Sequence, residues 1–445
     1  MSGSLGRIVL AFLLGGWIPV VGCAEPVTSG TASFSSVLAQ LTLRQAEIFF
    51  AERNRELQFG RRLVEGAEAD RVSAGQRPNP NVYFNATQIG HNYPPNYDAS
   101  GPTRRSDMTV GVNQLFERGN KRELRMEAAD SALTATRGDF ADIQRQQKVV
   151  LYGAYYDLVA AQDKLRIAQE TADSFRKTMD AVERRLKAGD IAAADVERIR
   201  VDALRAQNDA RSAQAELAKA QTALAYVIGA EREASRIRAA DSWPAPATPA
   251  AIDMEKVLGG RADVQAARAR IAAAEKNREL ARALRTRDVT AMLQFDRTPW
   301  NPDTNMTSAN TIGVGVSVPL FTNYYYEGEI RRAEVDLASA QENYERVRAL
   351  AVGEIDARGA DLNAARERVS RFRDSLLAAA QKAADAAEFA YSRGAIGVMD
   401  LLDARRQLYA TRLEASASQA DYAKSLAAFD AAVAVVEVQA VEARP

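Results

Sequence analysis

Acidic side chains are the most plentiful reactive groups in this chain, and at one place their spacing is suggestive. Asp400 and Asp403 stand three residues apart, on one face of a helix. By pattern alone Asp403 reads equally well as an ordinary solvated helix charge. Other candidates for chemistry are few. The single His, His91, sits in a polar loop with no second ligand in evidence, which favours a solvent-exposed residue over a metal ligand. The single Cys, Cys23, excludes an internal disulfide framework. No nucleophile–base pair and no ligand cluster can be assembled, so neither an enzyme nor a cofactor is expected. Basic and acidic residues balance at 58 each, which leaves no basic face for a nucleic-acid partner.

The acids must be held by elements, and the first of these is transient. Arg7 precedes an apolar run, 8–21, which meets Gly22-Cys23-Ala24. A basic start, a short apolar core and small residues at the cut describe a secretory leader, expected over residues 1–23. Val20-Val21-Gly22-Cys23 resembles a lipobox, whose Cys is acylated, although the usual Leu is not at position 20. Simple cleavage after Ala24 is the alternative. No other stretch approaches ~18 unbroken apolar residues, so a membrane protein of this sequence must use strands or a lipid.

The chain repeats itself. Phe116 and Phe321, Ala128 and Ala333, Gly189 and Gly394, Asp195 and Asp400, and Arg200 and Arg405 all lie 205 apart. Two copies are expected, over 41–229 and 253–438, joined by a linker, 230–252, that contains Trp243-Pro244-Ala245-Pro246 and cannot continue a helix. Each copy reads as a helix (43–74, then 263–284), two alternating segments around a polar loop, a very long helix (120–188, then 323–393), a glycine break, and another long helix. In the last helix of copy one, Val196, Ile199, Ala203, Ala206, Ala210, Ala213, Leu217, Ala220, Leu224 and Val227 follow 3-4 spacing. The matching positions of copy two, from Leu401 to Ala432, carry no charge. Such spacing keeps one seam against a partner helix, while Arg198, Arg200, Asp202 and Arg205 are expected to face water. A 120–188 helix would run ~100 Å, too long for any compact domain to bury.

Four segments alternate between apolar and polar residues: 82–89, 108–113, 289–296 and 311–320. Four isolated strands cannot build a sandwich. A membrane barrel, apolar outward and polar inward, is the other solution, and four strands cannot close one with a channel, so several chains must contribute. Three would give twelve strands. The strands before Phe116 and Phe321 alternate in opposite phase under the 205 offset, for which a bulge is the expected remedy. Pro319 marks an irregular strand-to-helix junction. The polar loops 90–105 and 297–309 are expected outside the cell.

At this point the chain resembles the TolC-like outer-membrane factor family over nearly its whole mature length. The resemblance rests on Arg77-Pro78-Asn79-Pro80, on Val318-Pro319-Leu320-Phe321 and on the two glycine-break stretches, Arg185-Leu186-Lys187-Ala188-Gly189 and Tyr391-Ser392-Arg393-Gly394, with the Asp195-Val196 and Asp400-Leu401-Leu402-Asp403-Ala404 that follow them. Phe116-Glu117-Arg118-Gly119-Asn120-Lys121-Arg122 resembles the signature of the CzcC-like heavy-metal branch, with Asn120 where a second glycine is usual. The resemblance implies a mainly α protein with a transmembrane β-barrel: a homotrimer whose twelve-stranded barrel continues into a periplasmic α-barrel of coiled-coil helices. It implies as partners the outer-membrane lipid, a periplasmic adaptor (membrane fusion protein) and an inner-membrane pump of the resistance-nodulation-division (RND) class. It implies passive exit of substrates, heavy-metal cations such as cobalt, zinc and cadmium in that branch. Drug efflux or type I protein secretion is the alternative duct, and a soluble periplasmic coiled-coil scaffold the alternative outside that class.

The same resemblance assigns sites. Arg185, Leu186, Gly189, Arg393 and Gly394 would form the tips that dock on the adaptor. Asp400 and Asp403, with Asp195, would line a narrow periplasmic gate, six carboxylates from the first two over three chains, favouring cations. Tyr391 would pin the closed tip. Where relatives carry an arginine after the glycine, this chain has Ile396.

Overall fold

A computed structural model describes residues 34–87, 106–189, 191–248, 251–298 and 307–435 of the 445-residue chain. The leader, Cys23, His91 and loop 90–105 lie outside the described residues.

Copy one begins with α1 (Phe34–Leu38), α2 (Leu43–Arg53) and α3 (Arg55–Ala74). Strands β1 (Asn81–Thr87) and β2 (Asp107–Phe116) follow, then α4 (Lys121–Lys187) and α5 (Ala193–Ile228). Copy two repeats the order with α6 (Met254–Gly260), α7 (Ala262–Ala283), β3 (Val289–Thr298), β4 (Ala309–Ser317), α8 (Glu327–Arg371), α9 (Leu377–Ser392) and α10 (Val398–Ala432). At ~1.5 Å per residue the 67 residues of α4 span about 100 Å. Its counterpart starts at Glu327, after 323–326, and passes from α8 into α9 through one π-helical turn, Phe372–Leu376. Helix α4 is the spine: α3, α5, α7 and α10 all pack on it.

The helix expected over 43–74 is two. It breaks at Asn54, whose backbone turns extended. Asn54 is buried; its Oδ1 accepts from Leu57 N at 3.0 Å to cap α3, and its Nδ2 donates to Val227 O, near the end of α5, at 3.0 Å. Copy two breaks between α6 and α7 at Arg261, also extended and also buried. Its Nη1 donates to Ala432 O, at the end of α10, at 2.9 Å. Val227 and Ala432 are again 205 apart, so each copy pins its first helix break to the foot of its last helix. Arg261 also bonds both oxygens of Asp263 and, at 2.7 Å, Glu354, which Arg145 of α4 approaches at 3.4 Å. Burial pushes the Asp263 and Glu354 carboxyls up. The bonds and charges of Arg261 and Arg145 outweigh it and hold both below the usual carboxylate range.

The coiled-coil seam forms as its spacing predicts. None of the ten seam residues of α5 is exposed, and eight are buried; the matching positions of α10 are likewise covered. One flanking position departs from expectation. Asp202 does not face water but is buried and paired with Arg406 of α10. Its neighbour Ala203 lies on the seam, which draws the carboxylate under the partner helix.

Midway, the linker is strapped across the helices. Trp243 stacks on Tyr156 and donates to Asp163, both on α4. Tyr422 of α10 holds the backbone of Ala245 and Ala247. Tyr155 bonds Leu41 O and Asp241 at 2.9 Å each, and these contacts cover the largest apolar cluster among the described residues. Burial, first, and the Asp241 bond raise the Tyr155 hydroxyl above its ordinary range.

Candidate functional site: the strand wall and the paired tips

The four strands form one antiparallel sheet in the order β1-β2-β3-β4. The registers place Val82 and Phe84 of β1, Val110 and Val112 of β2, Leu293 and Phe295 of β3, and Ile312, Val314 and Val316 of β4 on a single face. Every one of these side chains is exposed, Val314 by 83% and Ile312 by 76%. A water-soluble chain does not leave such a band uncovered. The opposite face carries Tyr83, Asn85, Thr109, Asn113, Gln294, Asp296 and Thr311. This is the lipid-outward, water-inward pattern of a barrel wall, with unpaired edges at β1 and β4.

The ladders run without the expected bulge. The phase difference is absorbed in the connections: residues 117–120 join β2 to α4, whereas 318–326 join β4 to α8. Val318 and Leu320, expected within the fourth strand, follow its end at Ser317. Pro319 lies in the irregular junction, as expected.

The signature stretch knots the first junction. Lys121 is buried, its Nζ donating to Thr286 O and to Asp288, both at 2.8 Å. Arg118 N donates to the same carboxylate at 2.9 Å. Glu117 takes two bonds from Arg125, and Arg122 donates to Gly75 O at 2.6 Å. At Gly119 (φ 76°) an added Cβ would stand 2.8 Å from Thr286. Asn120 has φ 56°. Asparagine is one of the few residues that enters this left-handed region readily, which explains how it stands where a second glycine is usual.

At the other end of the helices, Gly189 (φ 81°) and Gly394 (φ 74°) make the turns. Each lies two residues past its helix, in the conformation that ends helices tightly. Val398 and Leu402 of α10 enter an apolar cluster with Val182, Val196 and Ile199 of copy one, joining the two hairpins within the chain. Polar bonds reinforce it. Arg185 donates to the Tyr391 hydroxyl at 3.0 Å and lies over its ring, 5.7 Å from the centroid. Arg405 donates to Thr178 at 2.8 Å, and Arg406 spans Asp202 and Asp403. Sequence reasoning gave no role to Arg405, Arg406 or Asp202; Arg405 entered it as a repeat match to Arg200, and Asp202 as a flanking position beside Ala203.

Of the acids assigned to a gate, Asp400 accepts from Gly397 N at 3.2 Å and so caps its own helix. Asp195 pairs with Arg198 at 3.4 Å, and the exposed Asp403 with Arg406 at 2.5 Å. The structure thus brings Arg185 and Tyr391 together and gives each acid a partner on its own helix. Leu186 and Phe389 are exposed at the tips, and Arg393 lies over the Phe389 ring.

A sheet with one bare apolar face, carried on helices of this length, defines an outer-membrane channel protein. Residues 43–230 and 254–435 match the outer membrane efflux protein family, and the chain belongs to it. Its strands sit in the outer membrane, with the helical part in the periplasm. The cobalt-zinc-cadmium resistance protein CzcC of Cupriavidus metallidurans is 24% identical over 84% of this chain and 85% of its own. SilC of Salmonella typhimurium, a probable outer membrane lipoprotein, is 26% identical over 58% of this chain and 57% of its own. The solved structure of CusC, studied for its folding and transmembrane channel formation, superposes with a TM-score of 0.73 at 19% identity, covering 91% of this chain and 94% of that one.

Proposed function

We propose that three copies of this chain close a twelve-stranded barrel and serve as the exit duct of a tripartite efflux system that exports heavy-metal cations. The observation that carries the reading is the sheet with two bare edges and one bare apolar face: in lipid both edges must be paired, which β4 of one copy and β1 of the next accomplish. The tips bearing Arg185, Leu186, Gly189, Arg393 and Gly394 dock on a periplasmic adaptor, which connects to an RND-class pump of the inner membrane. Asp195, Asp400, Asp403 and Tyr391 belong to the gate, and the Arg185–Tyr391 bond favours its closed form. The cation substrate draws support from the likeness to CzcC and from the knot around Lys121, built from the signature of that branch.

The test is a deletion strain challenged with cobalt, zinc and cadmium salts. Sensitisation reversed by the intact gene supports the reading. Unchanged metal tolerance together with sensitisation to organic drugs, or with loss of a secreted protein, refutes the substrate and keeps the duct. In the same reading Cys23 is either acylated or removed with the leader, and the mass of the mature N-terminus separates the two; a free Glu25 ends the lipid assignment.

A further inference from the structure

The polar face of the sheet has a construction that duct function alone does not require. Gly111, Gly313 and Gly315 all lie on it, and each is covered by the residue directly across the ladder. Tyr83 lies over Gly111, Gln294 over Gly313 and Met292 over Gly315. A Cβ at 111 would overlap the Tyr83 ring, one at 313 would stand 2.8 Å from Gln294 Cγ, and one at 315 would stand 3.0 Å from Met292 Cε. The glycines come from the second strand of each copy and the covering side chains from the first.

Tyr83 shows what the glycine permits. Its hydroxyl donates to Gln294 Oε1 at 3.0 Å, so a side chain of β1 meets one of β3 with β2 lying between. Two strand spacings, about 10 Å, separate β1 from β3. The pair closes that distance only by passing over β2 at backbone height, where Gly111 leaves the way clear. Gln294 Nε2 then donates to Asp296 at 2.9 Å, and Thr109 Oγ1 to the same carboxylate at 2.6 Å. The bonds form a chain laid along the wall rather than a set of side chains standing into the lumen.

We propose that the three glycines set the clear bore of the strand-lined duct by letting their cover lie flat, with Tyr83 over Gly111 as its gauge, and hence fix the largest cargo that passes its outer end. This rests on the trimeric duct proposed above, in which the row occurs three times around one lumen. A methyl group at 111 adds almost nothing to the wall by itself; what it changes is the tyrosine, which must rise into the passage.

The experiment gauges the duct from outside. β2 runs from the external loop toward the helices, so Asn113 lies beyond Gly111 for a molecule entering from the medium. Asn113→Cys is labelled in intact cells with maleimide-polymers of graded mass, the parent chain with Cys23 alone serving as blank. Adding Gly111→Ala should lower the mass of the largest polymer that reacts, and adding Tyr83→Ala to that pair should restore or raise it. An unchanged limit in an assembled Gly111→Ala trimer, or failure of Tyr83→Ala to restore it, overturns the proposal. If Gly111→Ala does not assemble, Tyr83→Ala alone decides: the limit must rise, and an unchanged limit refutes the gauge. A Cys at 113 that reacts with no maleimide, however small, instead refutes the duct itself.

Discussion

Arg406→Met probes the join between the hairpins where the structure makes its sharpest quantitative statement. The Asp202 side chain is 11% exposed and Arg406 43%. Exposed pairs contribute about 0–1 kcal/mol, whereas removing one partner of a buried pair costs about 3–5 kcal/mol because the other charge is stranded. This pair lies between those limits, and about 2 kcal/mol is a fair figure. The cost falls on the packed arrangement alone, since parting the hairpins returns Asp202 to water. If the packed tips are the closed gate, the variant favours the open form by about 30-fold. Asp202→Leu has the opposite logic. It removes the buried charge, leaves Arg406 half-exposed with Asp403 at 2.5 Å, and adds apolar bulk to the seam, so the gate stays closed. The double variant should close as well as the parent. Open probability in planar bilayers, with trimer content checked on unheated gels, reads all three. Equal shifts in the two single variants, or a double variant as open as Arg406→Met, would refute the reasoning.

Other outcomes follow from the same structure. Arg261→Met strands Asp263, leaves Glu354 to Arg145 alone and frees the Ala432 carbonyl, so about 3 kcal/mol should be lost, read as a lower thermal midpoint in detergent; Arg261→Lys should rescue it only in part, because an ammonium cannot bond Asp263 in bidentate fashion. Both carboxyls are depressed in the folded chain, so their stabilisation is complete above the ordinary carboxylate range of about 4 and is lost as pH falls below it through the depressed folded values. In Arg261→Met burial dominates at Asp263, its carboxyl is pushed up, and stability should instead increase on mild acidification; a parallel pH profile for parent and variant would contradict this. On the apolar face Val314→Lys should cost about 2–4 kcal/mol if it sits near mid-bilayer and lower the yield of assembled trimer, whereas Thr311→Lys, on the lumen side, should assemble normally. Asn120→Gly should be tolerated and Asn120→Val should lose about 1–2 kcal/mol of stability, because only the β-branched residue is strained at φ 56°.

The parts of the fold legible in the sequence were those governed by a period. The seam of α5 and α10 could be read residue by residue because 3-4 spacing admits one buried face, and the strands because two-residue alternation admits one apolar side. Gly189 and Gly394 were legible because few residues end a helix with a positive φ. What period could not show was any bond made across the duplication. Nothing in the string links Arg406 to Asp202, Lys121 to Asp288 or Tyr83 to Gln294, whose partners are 204, 167 and 211 residues apart. The Asn54 break escaped for a related reason: no proline or glycine marks it, and the Val227 carbonyl that holds the buried asparagine lies 173 residues away. The 205 offset also misled at one point, since it equated Phe116 with Phe321 although the second connection is longer.

Near the tips the bonds that cross between the copies are unevenly owned. There Arg405, Arg406 and Arg412 of copy two reach Thr178, Asp202 and Glu170 of copy one, and among the described residues only Arg185 runs the other way. At mid-height the neutral pin of copy one, Asn54, stays within its own copy, whereas the charged pin of copy two, Arg261, requires Glu354, and Glu354 in turn engages Arg145 of α4. The Ala and Ser that fill half of the seam let helices approach closely, but these small side chains are so alike that they discriminate little between neighbouring registers. Directional pairs between a guanidinium and one particular acid or hydroxyl remove that degeneracy, because a slip of one turn leaves a carboxylate such as Asp202 buried and unpaired. The duplicated seam therefore supplies the contact area, and the arginines of α10 decide which alignment of the two hairpins that area stabilises.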